Sequence, residues 1–166
     1  MAYDTARQTL TTIGVYGFDA DTFLRALRDA GVRVLIDVRQ RRGVRGSEYA
    51  WANAARLQAA LEAAGIGYVH VKELAPTTEL RQLQYAEDAR AGVGKRSRAE
   101  LAPAYLERYT REILDPTGVE PVIDALPADG TAALFCVERD PEACHRSLIA
   151  ARVAEEHAVA VEHLRP

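Results

Sequence analysis

Two rhythms of apolar and polar positions alternate along this chain. Short β-branched and aromatic runs predict strands at "TIGVYGF" (11–17), "VRVLIDVR" (32–39), "IGYVHVKEL" (66–74), "TAALFCVE" (131–138) and "AVAVEHL" (158–164). The second run is almost wholly apolar until Asp37, as a strand covered on both faces should be. Between the runs, apolar residues recur at helical spacing. Phe23, Leu24 and Leu27 follow Asp19 and Asp21, either of which can cap a helix that Gly31 stops. Leu57, Ala60, Leu61 and Ala64 form one stripe within "SEYAWANAARLQAALEAAG", ended by Gly65. Residues 102–114, 119–126 and 141–157 complete the helical set, with Pro121 interrupting the second of these. Such alternation predicts a single α/β domain: a mainly parallel sheet of about five strands, flanked by helices and joined by right-handed crossovers. Strand order is not encoded in this pattern.

One stretch breaks the rhythm. Residues 75–98 are polar, carry Gly92 and Gly94 close together, and gather Lys95, Arg96 and Arg98. They form either a mobile excursion or a partly helical lid.

Composition narrows the function classes. The chain has 166 residues, long enough for a real core. No run of about 18 apolar residues occurs, so no membrane span is expected. The opening "MAYDTARQTL" lacks a basic region followed by an apolar one, so no leader is expected and the cytoplasm is the default. Two cysteines make no disulfide framework. A net charge of −3 gives no general attraction to nucleic acid, so any anion site must be local.

In open α/β sheets, ligands sit beyond the carboxyl ends of the strands. That rule selects Tyr16 and Gly17; Asp37 and Arg39 with the loop carrying Arg41, Arg42 and Arg45; Lys72 and Glu73; and Cys136 with Glu138. Arginine forks bind carboxylates and phosphates bidentately, and glycines such as Gly43 and Gly46 let backbone N–H groups approach an anion. Asp37 lies in an apolar run and needs partners, because an isolated buried carboxylate costs several kcal/mol.

The second cysteine lies in "VERDPEACHRSLIA", with Asp140 as N-cap and Pro141 at the first helical position, which predicts Cys144 and His145 about one turn into a helix. There the positive helix end, with Arg139 and Arg146, favours a thiolate, and His145 can serve as base. The bland alternative is that both cysteines pack in the core. Other chemistries fail on spacing. No arginine stands six positions after either cysteine, as a tyrosine-phosphatase loop requires. No glycine-rich loop follows Cys136, which weakens a sulfur-transfer reading of "LIDVR". Cys136 and Cys144 with His70 or His163 do not make a standard zinc spacing, so no metal is expected. Neither a P-loop nor GxGxxG is present, so no bound cofactor is indicated.

Taken together, "TIG", "LIDVR" with its basic loop, "YVHVKELAP", "FCVERDPEACHRSLIA" and the closing "VEHL" resemble the DUF488 family over nearly the whole chain. The resemblance implies an α/β sandwich and a site gathering Asp37, Arg39, Glu73, Cys136, Glu138, Cys144, His145 and Arg146, but no reaction. Many members carry His-Ser after the opening "TIG", where this chain has "VYGF".

Three functions fit these residues. The first is a small enzyme acting on a phosphorylated or nucleotide-like anion. Arg39, Arg45, Arg146, Lys72 and Glu73 would bind it, and Cys144, Glu138, Asp37, His145 and Cys136 would supply the chemistry. The second is a nucleic-acid-binding or repair accessory module, with Tyr49 and Trp51 for stacking. The third is a thiol redox or sensing protein built on the two cysteines. The oligomeric state is not encoded in any of these features.

Overall fold

The strand "TAALF" has no polar side chain beyond Thr131, every residue is buried, and it occupies the middle of the sheet. The computed structural model describes residues 8–166, so residues 1–7, where no leader was expected, lie outside the described residues. Five strands form one all-parallel sheet among them: β1 (Thr9–Ile13), β2 (Val32–Asp37), β3 (Gly67–His70), β4 (Thr131–Phe135) and β5 (Ala160–His163), in the order β3-β2-β4-β1-β5. The helices are α1 (Ala20–Asp29), α2 (Ala54–Ala63), α3 (Thr78–Ala91), α4 (Pro103–Tyr109), α5 (Asp115–Thr117), α6 (Glu120–Ala125) and α7 (Arg146–His157). The chain runs one way across the sheet from β1 to β3, and the opposite way from β4 to β5. Right-handed crossovers therefore put α1 and α2 on one face and α7 on the other. No helix among the described residues is long and apolar enough to cross a membrane.

Register sets the site. Ile13 and Asp37 both pair with Phe135, so β1, β2 and β4 end side by side. Backbone bonding continues past the strands: Cys136 N–H donates to Ile13, Val38 N–H to Phe135 and Val15 N–H to Val137. Gly14 permits this closeness, since a Cβ there would land on the Glu138 carbonyl oxygen. Phe135 packs on Phe23 of α1, whereas Cys136, one residue on, turns to the other face.

Several boundaries differ from the pattern. The first strand stops at Ile13, so Tyr16 and Gly17 lie in the turn beyond it, where Gly17 takes φ 93°. The third strand stops at His70, and Lys72–Leu74 form a short 3-10 turn. Asn53 divides the second helical stretch by spending its side chain on Val44 N–H, leaving a 3-10 turn at Ser47–Ala52 ahead of α2. The stretch at 141–157 also divides. Pro141–Ala143 make a 3-10 turn, Cys144 is extended, and α7 begins only at Arg146. Residues 75–98 are largely helical: α3 runs from a Thr77 cap to a left-handed Gly92. A wider π turn at Thr110–Leu114 continues α4, and where it begins the Tyr109 hydroxyl donates to the Leu74 carbonyl at 2.6 Å.

Candidate functional site

Two polar clusters stand at the carboxyl edge of the sheet. At the end of β2, Asp37 accepts from the Arg39 backbone (3.0 Å), from the Arg39 guanidinium through Nε and Nη2 (2.9 and 2.8 Å) and from the Tyr68 hydroxyl (2.6 Å). Arg39 Nη1 donates to the Ala52 carbonyl, and its guanidinium lies 4.6 Å from the Phe135 ring centre. Both side chains are fully buried. The fork is thus spent inside the protein, and Arg39 is a scaffold residue although it borders the cleft described below.

At the end of β4 the partners are fewer. Cys136, Cys144 and His145 are all buried, and their two sulfurs and ring nitrogen lie within 4.8 Å of one another. His145 Nδ1 stands 3.7 Å from Cys136 Sγ and 3.8 Å from Cys144 Sγ. His145 Nε2 donates to the Val38 carbonyl at 2.8 Å, since a carbonyl can only accept, and this turns Nδ1 toward the sulfurs. Glu138 Oε2 lies 3.7 Å from Cys136 Sγ, and Glu138 Oε1 pairs with Arg98 at 3.0 Å. Arg98 also binds Asp88 at 2.7 Å and the Ala143 carbonyl. Arg146, fully buried, donates to the carbonyls of Glu138 (2.7 Å) and Arg139 (3.1 Å), tying the strand-end loop to the start of α7. The Tyr109 ring centre is 5.4 Å from that of His145.

Burial raises the Cys144 thiol, but a hydrogen bond from Cys136, the Arg146 charge and His145 outweigh it and hold this thiol well below its ordinary value. Cys136 moves the opposite way: burial, then its hydrogen bond to Cys144 and the Cys144 charge, keep its proton on. Burial lowers His145, yet the adjacent Cys144 thiolate and the Val38 carbonyl raise it above the usual imidazole value. Glu138 is raised by burial and by Cys144, against the pull of Lys95 and Arg98. A thiolate–imidazolium couple of this kind can attack an electrophile. Two sulfurs and an imidazole nitrogen at these distances can equally bind a soft cation.

The cluster opens into a cleft of about 680 Å³. Its walls include Arg41, Arg45 and Lys95, whose side chains have no hydrogen-bond or ion-pair partner among the described residues. Arg81 and Arg96 also border it but are engaged, the first with Gln40 and Tyr85, the second with Glu48 and the Tyr16 and Tyr49 rings.

Of the residues singled out from sequence, the fold brings Cys136, Glu138, Cys144, His145 and Arg45 to this cleft. Asp37 and Arg146 sit beside it as buried supports, while Lys72 and Glu73 are exposed on the turn after β3 and do not line it. Cys144 does not lie one turn inside a helix; it precedes α7, because the chain leaves the 3-10 turn in extended form. The histidine that joins the cysteines is His145. His70 instead bonds the Arg39 carbonyl, and His163 bonds Thr12. Asp88 and the pairing role of Arg98 were missed. Leu80, Gln84 and Asp88, four residues apart on one face of α3, carry the signal: two polar groups continuing a buried stripe.

Fold and site together define an all-parallel α/β domain with a buried thiol–imidazole centre at the strand ends. The family model described as "Domain of unknown function DUF488" matches residues 19–153, and the chain belongs to that family. The match runs from the cap of α1 into α7, leaving β1 and β5 outside. No curated protein and no solved structure matches the chain.

Proposed function

We propose that this chain is a small cytoplasmic enzyme that binds a phosphorylated or nucleotide-like anion at the carboxyl ends of β1, β2 and β4. One observation carries the reading. A single cleft has on its walls the cations Arg41, Arg45 and Lys95, which make no hydrogen bond or ion pair among the described residues, and it is also lined by the Cys136–Cys144–His145–Glu138 cluster, toward which Lys95 directs its charge. Lys95 and Arg45 hold the anion, the arginine as a bidentate fork and the lysine as a point charge. The bound molecule is brought against Cys144 and His145, which form the reacting centre. Glu138, anchored by Arg98, moves the proton. Asp37, Arg39 and Arg146 are positioning residues that hold the loops in place.

The test uses inorganic pyrophosphate and AMP as probes in titration calorimetry. Saturable binding is expected, weakened at least about tenfold, or about 1.4 kcal/mol, by Lys95→Ala combined with Arg45→Ala. If neither probe binds, or the double variant binds as well as the parent, the reading fails.

A nucleic-acid module is less well supported, because the stacking residues it needs are occupied. Tyr49 packs on Tyr16 and under Arg96, and Trp51 packs on Phe23. Retention of DNA or RNA in a low-salt gel shift would reverse that preference.

A further inference from the structure

We infer that Cys136, Cys144 and His145 form a three-ligand site for a thiophilic divalent cation of the zinc class, with its remaining coordination position facing the anion cleft. Spacing is the first support. A tetrahedral zinc with Zn–S of about 2.3 Å and Zn–N of about 2.0–2.1 Å keeps a sulfur and a nitrogen ligand about 3.6 Å apart. The two sulfur–Nδ1 separations, 3.7 and 3.8 Å, lie within ~0.2 Å of that spacing.

The second support is orientation. A ligating imidazole almost always donates its other N–H to a carbonyl or carboxylate, which fixes the tautomer and the ring plane. His145 does this through Nε2 to the Val38 carbonyl at 2.8 Å, leaving Nδ1 on the side of both sulfurs, where a cation would take the place of its proton. Held by the end of β2 rather than by its own helix, the ring is set before any cation arrives. The third support is access. All three ligand residues are buried, yet all three line the cleft, so the protein encloses one side and leaves the other to a ligand. Three protein ligands with one open position is the arrangement of catalytic rather than structural zinc.

Two sulfurs and one imidazole favour zinc over magnesium or calcium, which take oxygen ligands. Two thiolates neutralise the dication, so the nearby guanidiniums of Arg98 and Arg146 face no net charge. Glu138, 3.7 Å from Cys136 Sγ and held by Arg98, stands beside the site. Under this inference Cys144 is a ligand, not a nucleophile, and the cation polarises the oxygen of whatever anion the cleft holds. That last role alone rests on the anion-binding reading above.

The experiment takes the full chain, removes metal with a chelator, and titrates it first with Zn²⁺ and then, in a separate sample, with Co²⁺. We expect one equivalent bound, a thiolate-to-cobalt charge-transfer band, and the strong visible absorption of tetrahedral cobalt. Cys144→Ser should weaken zinc binding by at least about 100-fold, more than outer-shell changes cost. Lys95→Ala should retain the metal and its spectrum while losing affinity for pyrophosphate. A cobalt spectrum like that of the hexaaqua ion in the folded parent protein would overturn the inference and leave a hydrogen-bonded thiol cluster only. A tetrahedral spectrum that persists in the Cys136→Ser, Cys144→Ser double variant would also overturn it. Either result leaves pyrophosphate binding to be judged separately, so a failed metal site and a failed anion site are told apart.

Discussion

The clusters at the ends of β2 and β4 are built from similar materials and serve different ends. Both are buried, both contain an arginine–carboxylate pair, and they sit on neighbouring strands whose last residues, Asp37 and Phe135, are register partners. At β2 the accounting closes: the Asp37 oxygens receive four donors, and each Arg39 nitrogen has an acceptor. At β4 it does not. Beyond the 3.7 Å contact of Cys136 Sγ with Glu138 Oε2, the two sulfurs and one ring nitrogen have only one another as hydrogen-bond partners, at distances typical of weak hydrogen bonds or of a shared ligand, and they border the cleft. A buried charge whose partners are all internal is structure; a buried cluster with spare valence facing a cleft is a site. The one-residue step from Phe135 to Cys136 sends these two arrangements to opposite faces of one sheet edge.

Substitutions can break this contrast in a graded way. Asp37→Ala should be the most destabilising, toward the upper end of about 3–5 kcal/mol, because it leaves a fully buried guanidinium without its anion. Urea unfolding measures it, and a cost below 1 kcal/mol would mean that the pair is not the scaffold of β2. Arg98→Met should fall at the lower end of about 3–5 kcal/mol, since it strands Asp88 and Glu138 but beside a cleft that water can reach. The same unfolding experiment ranks the two, and a reversed order would move the scaffold to the β4 side. Cys144→Ser, nearly isosteric, should cost about 1 kcal/mol or less in stability while abolishing the turnover proposed above. Comparing its melting temperature with its turnover separates those effects; a large loss of stability with activity intact would make Cys144 a packing residue. Smallest of all, Lys95→Ala with Arg45→Ala should cost well under about 1 kcal/mol in unfolding, because Arg45 is exposed and the half-buried Lys95 makes no hydrogen bond or ion pair, acting only through its charge on Glu138. Its effect should appear only when an anion is titrated.

Much of the fold was legible because it is local. β-branched runs, helix caps and the glycines at 31 and 65 mark strand and helix by residue type, and all five strands overlap the expected runs, the first only at residues 11–13 because it begins at Thr9. What stayed hidden depends on distance in sequence. Arg98 meets Glu138 across 40 residues and Asp88 across 10, and neither spacing is helical. His145 was legible as a base because it adjoins Cys144, but the contact that aims its ring, to Val38 107 residues away, was not. Arg39 was legible as a strand-end arginine but not as a committed one, because Ala52 and Tyr68 reach the same pair from separate elements. The Cys144 boundary was misjudged because local signals were overridden. "DPEACHR" carries good helix-start signals, but Arg146 binds the Glu138 and Arg139 carbonyls, and the chain starts its long helix only there. Tertiary bonds set that boundary, not propensity.

Diffraction from crystals soaked in AMP should show a phosphate within hydrogen-bond reach of Lys95 and Arg45. The Cys144–His145 centre and Glu138 should face the bound molecule, with the Asp37–Arg39 pair unchanged. A cleft that stays without AMP at saturating concentration, or AMP held elsewhere on the protein, would contradict the proposed anion site.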